Sequence, residues 1–144
     1  MPSVTRVLFL ARYRIPHAVM SLQFDHFLEG IDRTIIASPV DKIEIWTIFE
    51  KYGIDTSKFE YVNDQEVLPR YPQINNWWFP DDYRDTWLKQ QAIKLAFLDY
   101  LDAEVMLMHD PDTFMIEPYR CISDNGILNY LVIPNTYHSP QYYE

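Results

Sequence analysis

The sequence predicts an α/β protein with one open, mostly parallel sheet and helices on both of its faces, and three observations lead there. Short, nearly unbroken apolar runs alternate along the chain with longer amphipathic ones. The short runs mix in few polar residues, as strands covered on both faces require. A long helical stretch is succeeded almost at once by another apolar run, so a crossover helix returns the chain to the same sheet.

Val4 to Ala11 (VTRVLFLA) reads as the first strand, and ARYRIP is a polar break ending in Pro16. His17 to Leu28 reads as a helix, with Val19, Leu22, Phe24, Phe27 and Leu28 apolar and Gly30 as its stop. Arg33 to Ala37 (RTIIA) is the second strand, closed by Ser38-Pro39. Asp41 to Tyr52 is a second helix, packing through Ile45, Trp46, Ile48 and Phe49, with Gly53 after its last turn. Phe59 to Val62 is a third strand that leads into the polar segment NDQEV. Leu68 to Asp82 (LPRYPQINNWWFPDD) is rich in proline, asparagine and aromatic rings and reads as an ordered loop. Trp87 to Leu101 is the longest helix. Glu104 to Met108 is the next strand, and Ile127 to Ile133 (ILNYLVI) the last.

Composition narrows the function. The chain of 144 residues suits one domain, and its 48% apolar and 16% aromatic content provides for a core and excludes wholesale disorder. A formal net charge of −9 argues against a general nucleic-acid binder and against docking on an anionic membrane. A phosphate-bearing ligand therefore needs a metal ion or a local cationic patch. The single cysteine, Cys121, excludes an internal disulfide, reads as a small buried residue and fits a reducing compartment. Val7 to Ala11 is too short for a secretory signal core, and no run approaches the ~20 apolar residues that span a bilayer. A cytoplasmic location is the expectation.

The most informative segment is VMLMHDPDTF, Val105 to Phe114, where an apolar run ends in Asp110 and Asp112. Two carboxylates at the end of a strand offer hard oxygen ligands to Mg²⁺ or Mn²⁺, which can bridge them to phosphate. Ligands of open parallel sheets bind outside the carboxyl ends of the strands, where strand order reverses. The preceding helix runs antiparallel to the strands, so its first turns, carrying Lys89, Gln90, Gln91 and Lys94, belong at the same edge. Gln90 and Gln91 lie four and three residues before Lys94 and can share its face. Lys94 is a cation within an apolar stretch. A snorkelling lysine accounts for it, and so does a partner for phosphate or for Asp110 itself. His109 should point away from Asp110, because neighbouring side chains alternate on a strand, so it reads as a packing or capping residue. His17, His26 and His138 lack zinc-site spacing. Trp77, Trp78 and Phe79 can stack on a sugar or base, or plug the edge of the core. The terminal YHSPQYYE reads as an unpatterned tail.

The segment WLKQQAIKL (Trp87 to Leu95), with VMLMHDPDTF shortly after it, resembles the DxD-containing glycosyltransferases of the GT-A fold. It is most similar to a group of bacterial and viral glycosyltransferase-like domains of unknown function. In that group a tryptophan precedes a Gln-Gln pair and a lysine on one helix, and the next strand ends in Asp-x-Asp. FMIEPYRCISDNGILNYLVIP also resembles their sequences. The similarity runs from Val4 to about Ile133 and is specific between Trp87 and Tyr119. It implies a Rossmann-like half that binds a nucleotide-diphosphate sugar, with Asp110 and Asp112 holding Mn²⁺ or Mg²⁺ and the diphosphate. Gln90, Gln91 and Lys94 would line the donor pocket, and Arg12 and Tyr13 would approach the nucleoside.

The implied reaction is glycosyl transfer, hexosyl or related. Such enzymes continue well past the carboxylate pair into an acceptor-binding half, whereas only about thirty residues come after Asp112. The expectation is a single donor-binding half, either a fragment or a shortened relative, for which inactivity alone and a second copy or another partner over the missing half are open expectations. No general base can be named. The alternative is a non-catalytic binding or assembly module on the same fold. Phosphatases of the haloacid dehalogenase kind also place Asp-x-Asp after a strand, but the later lysine and acidic pair of that chemistry are missing.

Overall fold

The computed structural model describes residues 2–72 and 83–129, and their side chains except at 83–89. In chain order the regular elements are β1 (Val4–Phe9), α1 (Ile15–Leu22), β2 (Leu28–Glu29), β3 (Arg33–Ser38), α2 (Lys42–Lys51), β4 (Phe59–Asn63), α3 (Asp64–Val67), α4 (Tyr83–Tyr100), β5 (Val105–His109) and β6 (Tyr119–Arg120). Four strands form an all-parallel sheet in the order β4-β3-β1-β5, and β2 pairs with β6 separately. The predicted α/β class and open Rossmann-like sheet are what the chain adopts.

Strand alternation splits the core into two apolar layers. Leu8, Leu10 and Ile36 pack under α1 and α2 against Ile15, Val19, Ile45 and Phe49. Val7, Phe9, Ile35 and Ala37 face the opposite side and meet Val67, Ile93, Ala96 and Phe97 of α3 and α4. All six residues of β1 are buried, as an almost continuous apolar run in a central strand should be. Each fully buried large aliphatic or aromatic side chain contributes about 1.5–3 kcal/mol relative to leaving it in water. Phe9 and Phe97 meet edge to face with ring centroids 5.0 Å apart, which couples β1 to α4. Among the described residues no helix is long and apolar enough to cross a membrane.

Helix ends obey local chemistry. Asp41 caps α2 by accepting a hydrogen bond from the Ile43 amide at 2.8 Å. Gly53, at φ +74, ends it with the Ile54 amide donating back to the Phe49 carbonyl, the paired arrangement of a Schellman turn. Asn63 likewise accepts from the Gln65 amide at 3.0 Å, which turns the polar NDQEV segment into the short helix α3.

Several boundaries differ from those the sequence pattern predicts. The first helix begins at Ile15 and not at His17, with Pro16 in its first turn, where a missing N–H costs nothing. It ends at Leu22 and not at Leu28, because tertiary contacts claim residues 24–29. Asp25 turns under the sheet to pair with Arg6, Phe24 stacks on Phe114 with centroids 4.9 Å apart, and Leu28–Glu29 form β2. The long helix starts at Tyr83, four residues before Trp87. Of the expected last strand, residues 127–129 supply one antiparallel bridge, Ile122 with Leu128, and the rest lies outside the described residues. Trp77, Trp78, Phe79 and the aromatic tail lie outside them too. Cys121 is buried with Val4 and Ile122 in a small cluster, where burial pushes its thiol pKa up.

Candidate functional site at the strand-order reversal

From β1 the chain moves outward to β3 and β4; α4 then carries it back across the sheet, and β5 pairs with the other side of β1. Strand order therefore reverses between β1 and β5. Adjacent connections leave such a point in opposite directions, and a crevice opens beyond the two carboxyl ends. Residues 10–14 continue from β1 there and residues 110–113 continue from β5.

Alternation along β5 decides where its last side chains go. Met106 and Met108 lie with the α4 layer, while His109 aligns with Leu8, which faces α1. Asp110, next in the alternation, is directed to α4, and Lys94 Nζ donates to its Oδ1 at 2.8 Å. The Lys94 side chain is only 11% exposed against 54% for Asp110, and its ammonium lies 5.9 Å from the Phe9 ring centroid. The lysine is a buried stem that presents its charge to the rim. Gln91 is half-buried and Gln90 exposed, one turn earlier on α4.

Asp112 meets a different cation. Arg14, the last residue of the 3-10 turn Arg12–Arg14 after β1, places Nη1 2.5 Å from Asp112 Oδ2. Its guanidinium also lies 5.3 Å from the Tyr13 ring centroid. A hydrogen bond to Tyr13 is the main reason its pKa is raised, with Asp112 adding to the effect. Tyr13 itself is 71% exposed. Arg12 turns the other way and pairs with Glu44 of α2 at 2.5 Å.

The turn that carries the carboxylates is clamped from below. The Thr113 amide donates to the Asp110 carbonyl at 3.0 Å. The Thr113 carbonyl accepts from Ser21 Oγ of α1 and from His109 Nε2, both at 2.6 Å. A carbonyl can only accept, so Nε2 carries the ring proton and Nδ1 keeps its lone pair. Among the described residues Nδ1 is buried without a hydrogen-bond partner. Burial is the largest influence on His109 and lowers its pKa, keeping the ring neutral. His109 thus supports the turn from the face opposite Asp110.

Of the expected set, the structure pairs Lys94 with Asp110, gives Asp112 to Arg14, leaves Gln90 exposed and Gln91 half-buried one turn before Lys94, and pairs Arg12 with Glu44 of α2. Sequence reasoning missed Arg14, Ser21 and the clamp made by His109. Arg14 had one available signal: in ARYRIP it stands at the junction of a strand and a proline-marked helix start, the place where side chains overhang a switch point.

The donor set suits a divalent ion shared with a ligand. Among the described residues no three His, Cys, Asp or Glu side chains converge. Two carboxylates on one turn fit an ion held jointly with a ligand's phosphates and water, the ordinary setting of Mg²⁺. A separate cleft of about 610 Å³ at the amino-terminal edge is lined by Arg6, Asp25, Asp32, Arg33 and Lys58 and includes neither Asp110 nor Asp112. No family model matches the chain, and neither a curated protein nor a solved structure is detectably similar to it.

Proposed function

We propose that this domain binds a nucleotide-diphosphate sugar at the β1–β5 switch point, through a divalent metal on Asp110 and Asp112, and that its reaction class is glycosyl transfer. One observation carries the reading. In a chain of net charge −9, the turn after β5 carries two carboxylates, each ion-paired to a cation, beyond the carboxyl ends of β1 and β5. Diphosphate needs positive charge, and Lys94 and Arg14 bring it. The bound Mn²⁺ or Mg²⁺ would act as a Lewis acid on the departing diphosphate. Lys94 fixes Asp110 and stands ready for a phosphate oxygen, the Ser21–His109 clamp keeps the turn in place, and Gln90 and Gln91 reach sugar hydroxyls from the rim. Tyr13 offers a ring to the nucleoside.

A non-catalytic binding or assembly module is the second reading. It is favoured by the fact that both carboxylates already have counter-ions. A second copy or another partner over the outer edge of β5 fits either reading, as does a cytoplasmic location. Calorimetric titration with UDP- and GDP-sugars, with and without Mn²⁺, separates them. Metal-dependent binding that disappears in Asp112→Ala supports the donor site. Silence across the donor panel supports the module, and release or transfer of sugar identifies the enzyme.

A further inference from the structure

The two carboxylates have unequal partners. Lys94 is a largely buried side chain of α4, 11% exposed, with its ammonium 5.9 Å from the Phe9 ring centroid and 2.8 Å from Asp110. Arg14 is 37% exposed and Asp112 44% exposed, they meet through one short contact, and Arg14 sits on a 3-10 turn with an exposed ring, Tyr13, beside it. A guanidinium held this way is free to exchange partners, and its planar fork fits phosphate as well as carboxylate.

We propose that Arg14 is an exchangeable counter-ion that closes Asp112 to free divalent cations and passes to phosphate when a metal–diphosphate complex enters. The inference rests on the donor-site reading. Its logic is charge balance. A free dication approaching Asp112 meets a guanidinium already 2.5 Å from the carboxylate oxygen, and the two positive charges compete for it. A diphosphate arriving with the dication gives Arg14 a new anion, so both cations can stay. Metal and diphosphate should then bind cooperatively, each weakly alone, and Arg14 adds to the coupling that direct metal–phosphate coordination supplies.

The test uses the full chain and Mn²⁺ alone, with binding read from the loss of the free-ion signal in electron paramagnetic resonance. The titration is repeated with inorganic diphosphate and with UDP, each read against the same Mn²⁺ mixture without protein, because both anions bind the ion themselves. Arg14→Gln should bind Mn²⁺ alone roughly five- to tenfold more tightly than the parent, from the loss of one competing charge. Arg14→Lys should stay near the parent, and adding Asp112→Asn to Arg14→Gln should remove the gain. The cooperativity between Mn²⁺ and diphosphate should fall in Arg14→Gln to the level that direct metal–phosphate coordination supplies. Unchanged or weaker Mn²⁺ binding by Arg14→Gln, with cooperative Mn²⁺–UDP binding intact, overturns the exchange and leaves the donor site standing. A gain in Mn²⁺ affinity with no response to diphosphate or UDP supports the closing of Asp112 and overturns the donor reading. No Mn²⁺ binding by any form overturns both. Unchanged near-ultraviolet circular dichroism excludes misfolding, which is not expected at so open a residue.

Discussion

Two arginine–aspartate pairs in this molecule have the same chemistry and opposite circumstances. Arg6, in the middle of β1, is 3% exposed and grips Asp25 with both nitrogens, at 2.7 and 2.6 Å. Arg14, just past the end of the same strand, touches Asp112 with one nitrogen in a setting open to water. The first pair belongs to the fold: a buried guanidinium must keep its counter-ion, because taking charge out of water is expensive. The second can be broken and remade by a competing ion. Exposure and number of contacts, more than residue type, separate a structural pair from one suited to binding.

That comparison can be broken most forcefully at Asp25. Asp25→Ala should destabilise the domain by about 3–5 kcal/mol in urea denaturation, since it leaves Arg6 buried and unpaired. A loss below about 1 kcal/mol, the range of an open ion pair, would mean that water reaches Arg6 and that the contrast is unfounded.

The next largest effect concerns His109. Losing its hydrogen bond to Thr113 in His109→Ala should cost about 1–3 kcal/mol and loosen the carboxylate turn. The histidine also gives a pH signature. Burial lowers its folded pKa, whereas the unfolded chain protonates near 6.5. The unfolded state then binds more protons in the window below about 6.5, so stability is complete above that pH and declines as pH falls toward the lowered folded value. His109→Gln, which keeps a donor but cannot titrate, should flatten the slope between roughly pH 5 and 7. Parallel slopes for parent and variant would remove the titration from His109.

Asp41 gives the scale for an exposed carboxylate with one local partner. Asp41→Ala should cost about 1 kcal/mol through the lost cap of α2, read as a shift in the denaturation midpoint. Asp112→Ala should change stability least, by about 1 kcal/mol or less, as open ion pairs do, while abolishing any Mn²⁺-dependent nucleotide-sugar binding. If Asp112→Ala were as destabilising as Asp25→Ala, the second pair would belong with the first.

Much of the architecture was legible because it is written in short-range patterns. The unbroken apolar runs at Val4 and Arg33 could only be covered strands, and Asp41 and Gly53 mark the ends of α2 as capping chemistry demands. The placement of Asp110 away from His109 came from alternation alone. The end of the first helix was not legible, because Phe24, Asp25 and Leu28 have partners at Phe114, Arg6 and Tyr119, far along the chain or across the sheet. No local pattern announces such contacts, and the apolar spacing of the segment suits a longer helix equally well. The small β2–β6 pair was missed for the same reason.

By itself the sequence determined the class of the fold, the strand that ends in Asp110 and Asp112, and a lysine on the preceding helix, for all of these reside in periodicity and residue type over a few turns. Tertiary structure decided that β5 lies beside β1, so that the carboxylates stand at the reversal of strand order. It also decided that Arg14 and not Arg12 reaches them. The reason is geometric: Arg14 and Asp112 are separated by 98 positions, and which of two arginines on a 3-10 turn faces the other strand depends on the phase of that turn once the sheet has assembled.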